Sequence, residues 1–154
     1  MFGLPMFFGS HFENLPPRQK MKKSEKFPSS QPEELSAIFH ELKKIISNYE
    51  NPLRTKNDTK TRYDLWSFKD ITIENRKRKE VYFAGIVQQK SYVGFYYMPI
   101  YADTTLKEVF QPELLSLLKG KSCFHIKKLT PEIKNQINDS LKVGFEFYKK
   151  RNWI

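Results

Sequence analysis

The centre of the chain is an apolar stretch, Val81–Tyr101, in which Lys90 is the only charged residue. Aromatic and β-branched side chains dominate on both sides of the polar segment 88–91. Valine, isoleucine, phenylalanine and tyrosine favour the half-buried surface of a strand, and a polar break between two such runs marks a turn. The pattern therefore predicts a buried β-hairpin.

The register of this hairpin depends on the length of its turn, because side chains alternate between the two faces of a strand. A two-residue turn would group Tyr82, Ala84, Ile86, Val93, Phe95 and Tyr97. A three-residue turn would group Phe83, Gly85, Val87, Val93, Phe95 and Tyr97. Neither face carries a charge in either register, so one face must meet helices, and the other must be covered or serve as a binding surface.

Two amphipathic helices are predicted on either side of the hairpin in sequence. Apolar residues recur at three- and four-residue steps from about Pro32 to Tyr49. A second such pattern runs from Pro131 to about Lys150, with Thr130 in the position of an N-cap. Because each helix has a continuous apolar stripe, we expect both to lie across one face of the sheet.

Shorter patterns complete the predicted fold. Residues 62–69 alternate and predict a strand, with Tyr63, Leu65 and Ser67 on one side and Asp64, Trp66 and Phe68 on the other. Further predictions are short strands at 71–73 and 121–128, helical turns at 104–110 and 112–119, and a polar loop at 53–61. The sequence thus predicts an α+β domain with an N-terminal helix, an antiparallel sheet of about five strands, short helical turns and a long C-terminal helix.

This domain is expected to occupy residues 32–154, preceded by an extension over 1–31. The first nine residues are apolar but contain Pro5 and have no basic residue in front of them, which argues against a secretion signal. The basic segment 18–26 has neither a helical nor a strand period. The extension is predicted to be disordered, or else to precede a true start at Met21.

Composition limits the class of protein. The 154 residues include 27 Lys and Arg against 17 Asp and Glu, for a formal net charge of +10. A single cysteine excludes an internal disulfide framework and fits a reducing cytoplasm. No uncharged stretch reaches the roughly 18 residues that cross a bilayer. We therefore expect a cytoplasmic protein without a membrane partner, drawn by its charge to nucleic acid, phosphorylated ligands or an acidic protein.

Basic and aromatic residues form one group of candidate binding residues. The candidates for binding a polyanion are Arg76, Lys77, Arg78 and Lys79 in one segment and Arg54, Lys56, Lys60 and Arg62 in another. Three tyrosines, Tyr82, Tyr92 and Tyr96, could share one sheet face and stack on bases or on partner side chains. The alternatives are a solvated hairpin turn or protection of an edge strand for the first basic segment, and packing under a helix or the extension for the tyrosines.

Cys123 and His125 form the best local pair for metal or nucleophilic chemistry. At alternate positions of one strand, both could reach a zinc or iron ion, with Asp103 as a third ligand. A cysteine-dependent enzyme is a further hypothesis, and a buried structural cysteine is the simplest alternative. The sequence contains no glycine-rich phosphate loop, no nucleophile elbow and no helix with paired histidines, so a non-enzymatic protein is favoured.

Four segments resemble the YdhG-like domain family of small bacterial proteins, over about residues 32–154. They are Trp66–Lys69, Val93–Pro99, Gly120–Lys128 and Gly144–Lys150. The family is mostly uncharacterised, and the resemblance implies frataxin-like packing of helices on one face of an antiparallel sheet. It also implies handling of iron or another metal, with a metal-cofactor assembly partner, or a role as a binding module. Binding of nucleic acid or another polyanion is the alternative expectation.

Overall fold

A computed structural model describes residues 30–154, with side chains from Gln31 onward. Its helices are α1 Ser30–Ser47, α2 Met98–Ala102, α3 Pro112–Leu115 and α4 Pro131–Lys150, with a 3₁₀ helix at Thr104–Val109. Its strands are β1 Arg54–Asp58, β2 Arg62–Ser67, β3 Ile71–Ile73, β4 Arg76–Arg78, β5 Val81–Gln88, β6 Val93–Tyr97, β7 Leu118–Lys119 and β8 Cys123–Ile126. The predicted α+β class is confirmed. The predictions made for the segment before α1, including the start at Met21, lie outside the described residues.

Six strands form one antiparallel sheet in the order β1-β2-β5-β6-β8-β7, and β3 pairs with β4 in a separate two-stranded sheet. The prediction of a loop over 53–61 was wrong, because Arg54–Asp58 forms an edge strand beside β2. An edge strand is held by its backbone hydrogen bonds and can carry polar side chains, so its sequence shows no apolar alternation.

The predicted central hairpin is confirmed, and its register is set by two features. Gln88 lies opposite Val93, so the loop has four residues, and the Gln89 N–H donates to the Tyr92 carbonyl at 2.8 Å. This loop has the same parity as a two-residue turn. However, a bulge in β5 opposite β2 moves Tyr82 to the other face and puts Phe83 in its place. The second strand ends at Tyr97, where α2 begins.

The two long helices cover one sheet face and form the core with it. The fully buried core side chains include Leu42 and Ile46 of α1, Ile137, Leu141 and Tyr148 of α4, and Phe83, Ile86, Phe95 and Phe124 of the sheet. Burial of each large apolar side chain contributes about 1.5–3 kcal/mol. The Thr130 hydroxyl accepts from the Ile133 N–H at 3.2 Å and caps α4 as predicted.

Close packing between α4 and the sheet depends on Gly144. The Tyr97 hydroxyl donates to the Ser140 carbonyl at 2.5 Å. A Cβ at Gly144 would overlap this hydroxyl and would lie 2.7 Å from Pro99 Cγ. The glycine therefore allows α4 to approach the sheet closely.

The shorter helices lie on the same side as α1 and α4. Phe110, which follows the 3₁₀ helix, contacts the rings of Tyr97 and Phe124, and Gln136 of α4 accepts from the Leu114 N–H of α3. Within residues 30–154, the other face of the six-stranded sheet has no helix over it. None of the described helices has the length and apolar character needed to span a membrane.

Candidate functional site

The sheet face opposite the two long helices, called the open face below, carries most of the residues singled out from the sequence. Cross-strand pairing places two rows of side chains on it. One row is Asp64, Gly85, Tyr96 and Cys123, and the next is Arg62, Val87, Gly94 and His125. Tyr82 and Trp66 lie opposite each other beyond the first row. The three predicted tyrosines are thus brought to one face and remain partly exposed.

Two cations lie over aromatic rings along the β1–β2 edge of the open face. Lys56 Nζ lies 4.5 Å from the centroid of the Trp66 ring, and the Arg54 guanidinium lies 4.7 Å from that of Phe68. The Trp66 ring meets Tyr82 edge to face, with centroids 5.0 Å apart. The result is a continuous strip of rings and positive charges that is accessible to solvent.

Two glycines allow the tyrosines to lie close to the sheet. A Cβ on Gly85 would collide with the Tyr82 hydroxyl, so the Tyr82 side chain lies along β5 over this glycine. A Cβ on Gly94 would be 3.1 Å from the Tyr96 ring and 3.6 Å from the Tyr92 ring. Burial, followed by the nearby Asp64 charge, raises the pKa of Tyr82, so its hydroxyl stays protonated.

His125 is engaged by an aromatic ring. Its imidazole stacks on Tyr92 with centroids 3.8 Å apart and an interplanar angle of 14°. Because Tyr92 belongs to the loop between β5 and β6, the stack extends the aromatic surface of the open face toward β8. A ring pair of this kind offers a flat surface for stacking.

Cys123 is half-buried and lies beside Tyr96 in the same cross-strand row. Burial raises the pKa of the Cys123 thiol, and a hydrogen bond with the Tyr96 hydroxyl offsets part of that shift. A raised pKa reduces the thiolate fraction, and thiolate is the form that attacks substrates and binds metals. The environment of Cys123 therefore favours an inert thiol.

Asp103, the third proposed metal ligand, is used as a helix cap. Its carboxylate accepts from the Thr105 N–H at 3.0 Å and from the Thr105 hydroxyl at 2.6 Å, and these bonds lower its pKa. In the part of the chain that the structure describes, no three His, Cys, Asp or Glu side chains are grouped so that they could hold a metal ion. The predicted ligand set of Cys123, His125 and Asp103 is therefore not brought together.

The two predicted basic segments are placed differently. Arg76, Lys77 and Arg78 form β4, an exposed strand that pairs with β3 across a two-residue turn at Glu74 and Asn75. Both turn residues have positive φ, 48° and 63°, as such tight hairpin turns require. This agrees with the simpler interpretation of a solvated hairpin, and Lys79 follows it, also exposed.

In the second basic segment, three of the four predicted cations lie on the open face. Arg54, Lys56 and Arg62 lie on the open face, and Lys56 also pairs with Glu80 at 2.6 Å. Lys60 is exposed in the loop between β1 and β2. Lys119 of β7 is opposite Cys123, so its side chain adds a cation at the far edge of the same face.

Sequence reasoning missed the importance of Trp66, Phe68 and Asp64 at this site. The alternating pattern of residues 62–69 places all three on one side of the predicted strand, but only the pairing with β1 shows that Trp66 and Phe68 meet cations. The available signal was the matching alternation of cations at 54 and 56 with rings at 66 and 68.

Comparison of the chain with protein-family models, curated proteins and solved structures found no significant match. The resemblance to the YdhG-like family stays a prediction.

Proposed function

We propose that the protein binds single-stranded nucleic acid through the open face. The observation that carries this proposal is the strip in which Lys56 lies over Trp66 and Arg54 lies over Phe68. Aromatic rings stack on bases of any sequence, and neighbouring cations neutralise the phosphates that connect those bases.

The charges on this face favour a polyanion. Three cations, Arg54, Lys56 and Arg62, border the rings on one edge, and Lys119 lies at the other. Asp64 is only 1% exposed and is surrounded by donors, and Glu80 is paired with Lys56. The four cations outnumber these two carboxylates, so the charge around the rings is positive overall, in line with the net charge of +10.

The aromatic rings favour an unpaired strand. A base can lie flat on a ring of a sheet surface only after it has left its own stack, and a duplex keeps its bases stacked inside. Tyr82, Tyr96 and the Tyr92–His125 pair continue the surface beyond Trp66, which gives room for more than one base.

The other functional hypotheses have less support. Metal handling stays a prediction, and no assembled group of three ligands within residues 31–154 supports it. A cysteine-dependent activity is opposed by the raised pKa of Cys123.

The exposed β3–β4 hairpin supplies further cations for the phosphates of a bound single strand.

Fluorescence anisotropy with a labelled oligothymidylate of about 15 nucleotides tests the proposal on the full chain. Binding should weaken steeply with salt, by about 0.7 in logarithmic slope for each phosphate contacted. Replacing Trp66 with alanine should weaken binding roughly 5- to 150-fold, because stacking of one base contributes about 1–3 kcal/mol. A matching duplex should bind more weakly than the single strand.

A charge-matched pair of variants provides the control. Lys56→Gln with Arg62→Gln removes two cations from the open face, and Lys142→Gln with Lys150→Gln removes two exposed cations from α4. The first pair should lower the salt slope by about 1.4, and the second should leave it nearly unchanged. Equal losses in both pairs, or no binding at low salt, would refute the proposal. The basic segment 18–26 is present in both pairs, so its contribution cancels.

A further inference from the structure

Asp64 has an unusual environment for a side chain on the open face. It is 1% exposed, although its neighbours in the same strand, Arg62 and Trp66, reach solvent. Its carboxylate accepts five hydrogen bonds: from Lys56 N at 3.3 Å, Asn57 N at 3.0 Å, Asn57 Nδ2 at 2.7 Å, Arg62 Nε at 3.3 Å and Trp66 Nε1 at 3.0 Å. Burial of a carboxylate is costly unless hydrogen-bond donors such as these satisfy its oxygens.

The two backbone donors come from an irregularity in β1. The register between β1 and β2 shifts between Thr55 and Asp58, which leaves N–H groups without a ladder partner. Asp64 accepts from the two N–H groups at this point, those of Lys56 and Asn57. The carboxylate thus holds the bulged strand in the position where Lys56 lies over Trp66.

The two side-chain donors on β2 are the groups expected to contact the ligand. The Trp66 indole N–H bond fixes the angle of this partly exposed ring beneath Lys56, so a stacking base would meet the ring in one defined orientation. The bond from Arg62 uses Nε, and the Arg62 side chain remains 50% exposed, so its terminal nitrogens stay accessible to a phosphate. One carboxylate therefore sets the relative positions of a stacking ring and a phosphate-binding cation.

We infer that Asp64 is a positioning residue for single-stranded nucleic acid, which holds the Trp66 indole and the Arg62 guanidinium ready for one base and its adjacent phosphate. This inference rests on the proposed function. It predicts that the carboxylate contributes to affinity without touching the ligand, because fixing these groups in advance removes the cost of ordering them on binding.

Asp64→Asn in the full chain is the direct test. Asparagine keeps the size and one acceptor oxygen, but its NH₂ group faces donors, so bonds on one side of the carboxylate must break. Trp66 and Trp153 are the only tryptophans, so indole N–H signals in ¹⁵N spectra report on each, and Trp66→Phe assigns them. In the variant, the Trp66 signal should shift and exchange faster with solvent, while the buried Trp153 signal stays in place.

Oligothymidylate affinity is measured on the same samples. We expect Asp64→Asn to weaken binding about tenfold. Unchanged affinity in a variant that folds, or an unchanged Trp66 signal, would overturn the inference. If the wild-type chain binds no oligonucleotide, the proposed function fails, and the indole measurement still reports whether Asp64 orients Trp66.

A second variant covers the case in which Asp64→Asn does not fold. Trp66→Phe keeps an aromatic ring on the open face but removes the N–H that Asp64 accepts. If Asp64 acts through the orientation of this ring, Trp66→Phe should weaken oligonucleotide binding several-fold, although less than Trp66→Ala. Wild-type affinity in Trp66→Phe would overturn the role of the indole bond.

Discussion

The two faces of the six-stranded sheet are built from the same strands but from different kinds of contact. On the helix-covered face, Phe83, Phe95 and Phe124 are fully buried against apolar side chains. On the open face, Trp66 and Tyr82 remain partly exposed and meet each other and nearby cations. The covered face thus accounts for much of the stability, and the open face has its rings and charges available for a ligand.

The two faces should differ most in stability when one aromatic side chain on each is replaced by alanine. Phe83→Ala should lower the free energy of unfolding by about 3–5 kcal/mol, because it leaves a cavity between β5 and α4. Tyr96→Ala, on the open face, should lower the free energy of unfolding by less than half as much, because the Tyr96 ring is partly exposed. Urea denaturation measures both. A Tyr96→Ala cost equal to that of Phe83→Ala would show that the open face is part of the core.

A smaller effect should separate two glycines that face opposite sides of the sheet. Gly144→Ala places a methyl group against the Tyr97 hydroxyl and Pro99 in the core, and it should destabilise the fold by about 1–3 kcal/mol. The atoms nearest to the methyl group of Gly94→Ala belong to the movable rings of Tyr96 and Tyr92 and to the Cys123 sulfur, and this change should alter stability by less than about 0.5 kcal/mol. Thermal unfolding of the two variants gives the comparison. A Gly94→Ala chain as unstable as Gly144→Ala would mean that the open-face rings cannot move.

The smallest effect concerns the reactivity of Cys123 on the open face. Burial raises its pKa above the ordinary value of 9.0, so the folded protein holds less thiolate at any pH below that value. Alkylation by iodoacetamide should therefore be slower in the native chain than in urea, and its rate should still be rising with pH above 9.0. The same shift makes folding stability fall as the pH rises past the thiol pKa of the unfolded chain, because the folded state binds the extra proton. If Cys123 is alkylated as fast in the native chain as in urea, this prediction is wrong, and the hypothesis of a cysteine-dependent enzyme gains support.

Much of the fold followed from local patterns. The alternation in β2 correctly separated Tyr63, Leu65 and Ser67, which are buried, from Asp64 and Trp66 on the other face. The apolar period and Thr130 located α4, and the period of α1 was right to within two residues. Such patterns are readable because the side chains of one element meet a single environment on each face.

Part of the site did not follow from local patterns. The sequence spacing linked Cys123 with His125, but cross-strand pairing places Tyr96 beside Cys123, and the His125 ring stacks on Tyr92 of the loop between β5 and β6. The edge strand β1 was missed because it carries no apolar alternation. Its absence from the prediction also hid the contact between Lys56 and Trp66.

By itself, the sequence determined the α+β class, the two long helices, the central hairpin and the basic character of the protein, because these depend on the period and composition of neighbouring residues. Only the tertiary structure decided that Tyr82 leaves the core face, that cations of β1 lie over Trp66 and Phe68, and that Asp64 accepts hydrogen bonds from two strands. Those features depend on one bulge in β5 and another irregularity in β1, each of which moves a side chain by one position. A one-residue change of register reverses the face of a side chain, and single-sequence patterns do not show where it occurs.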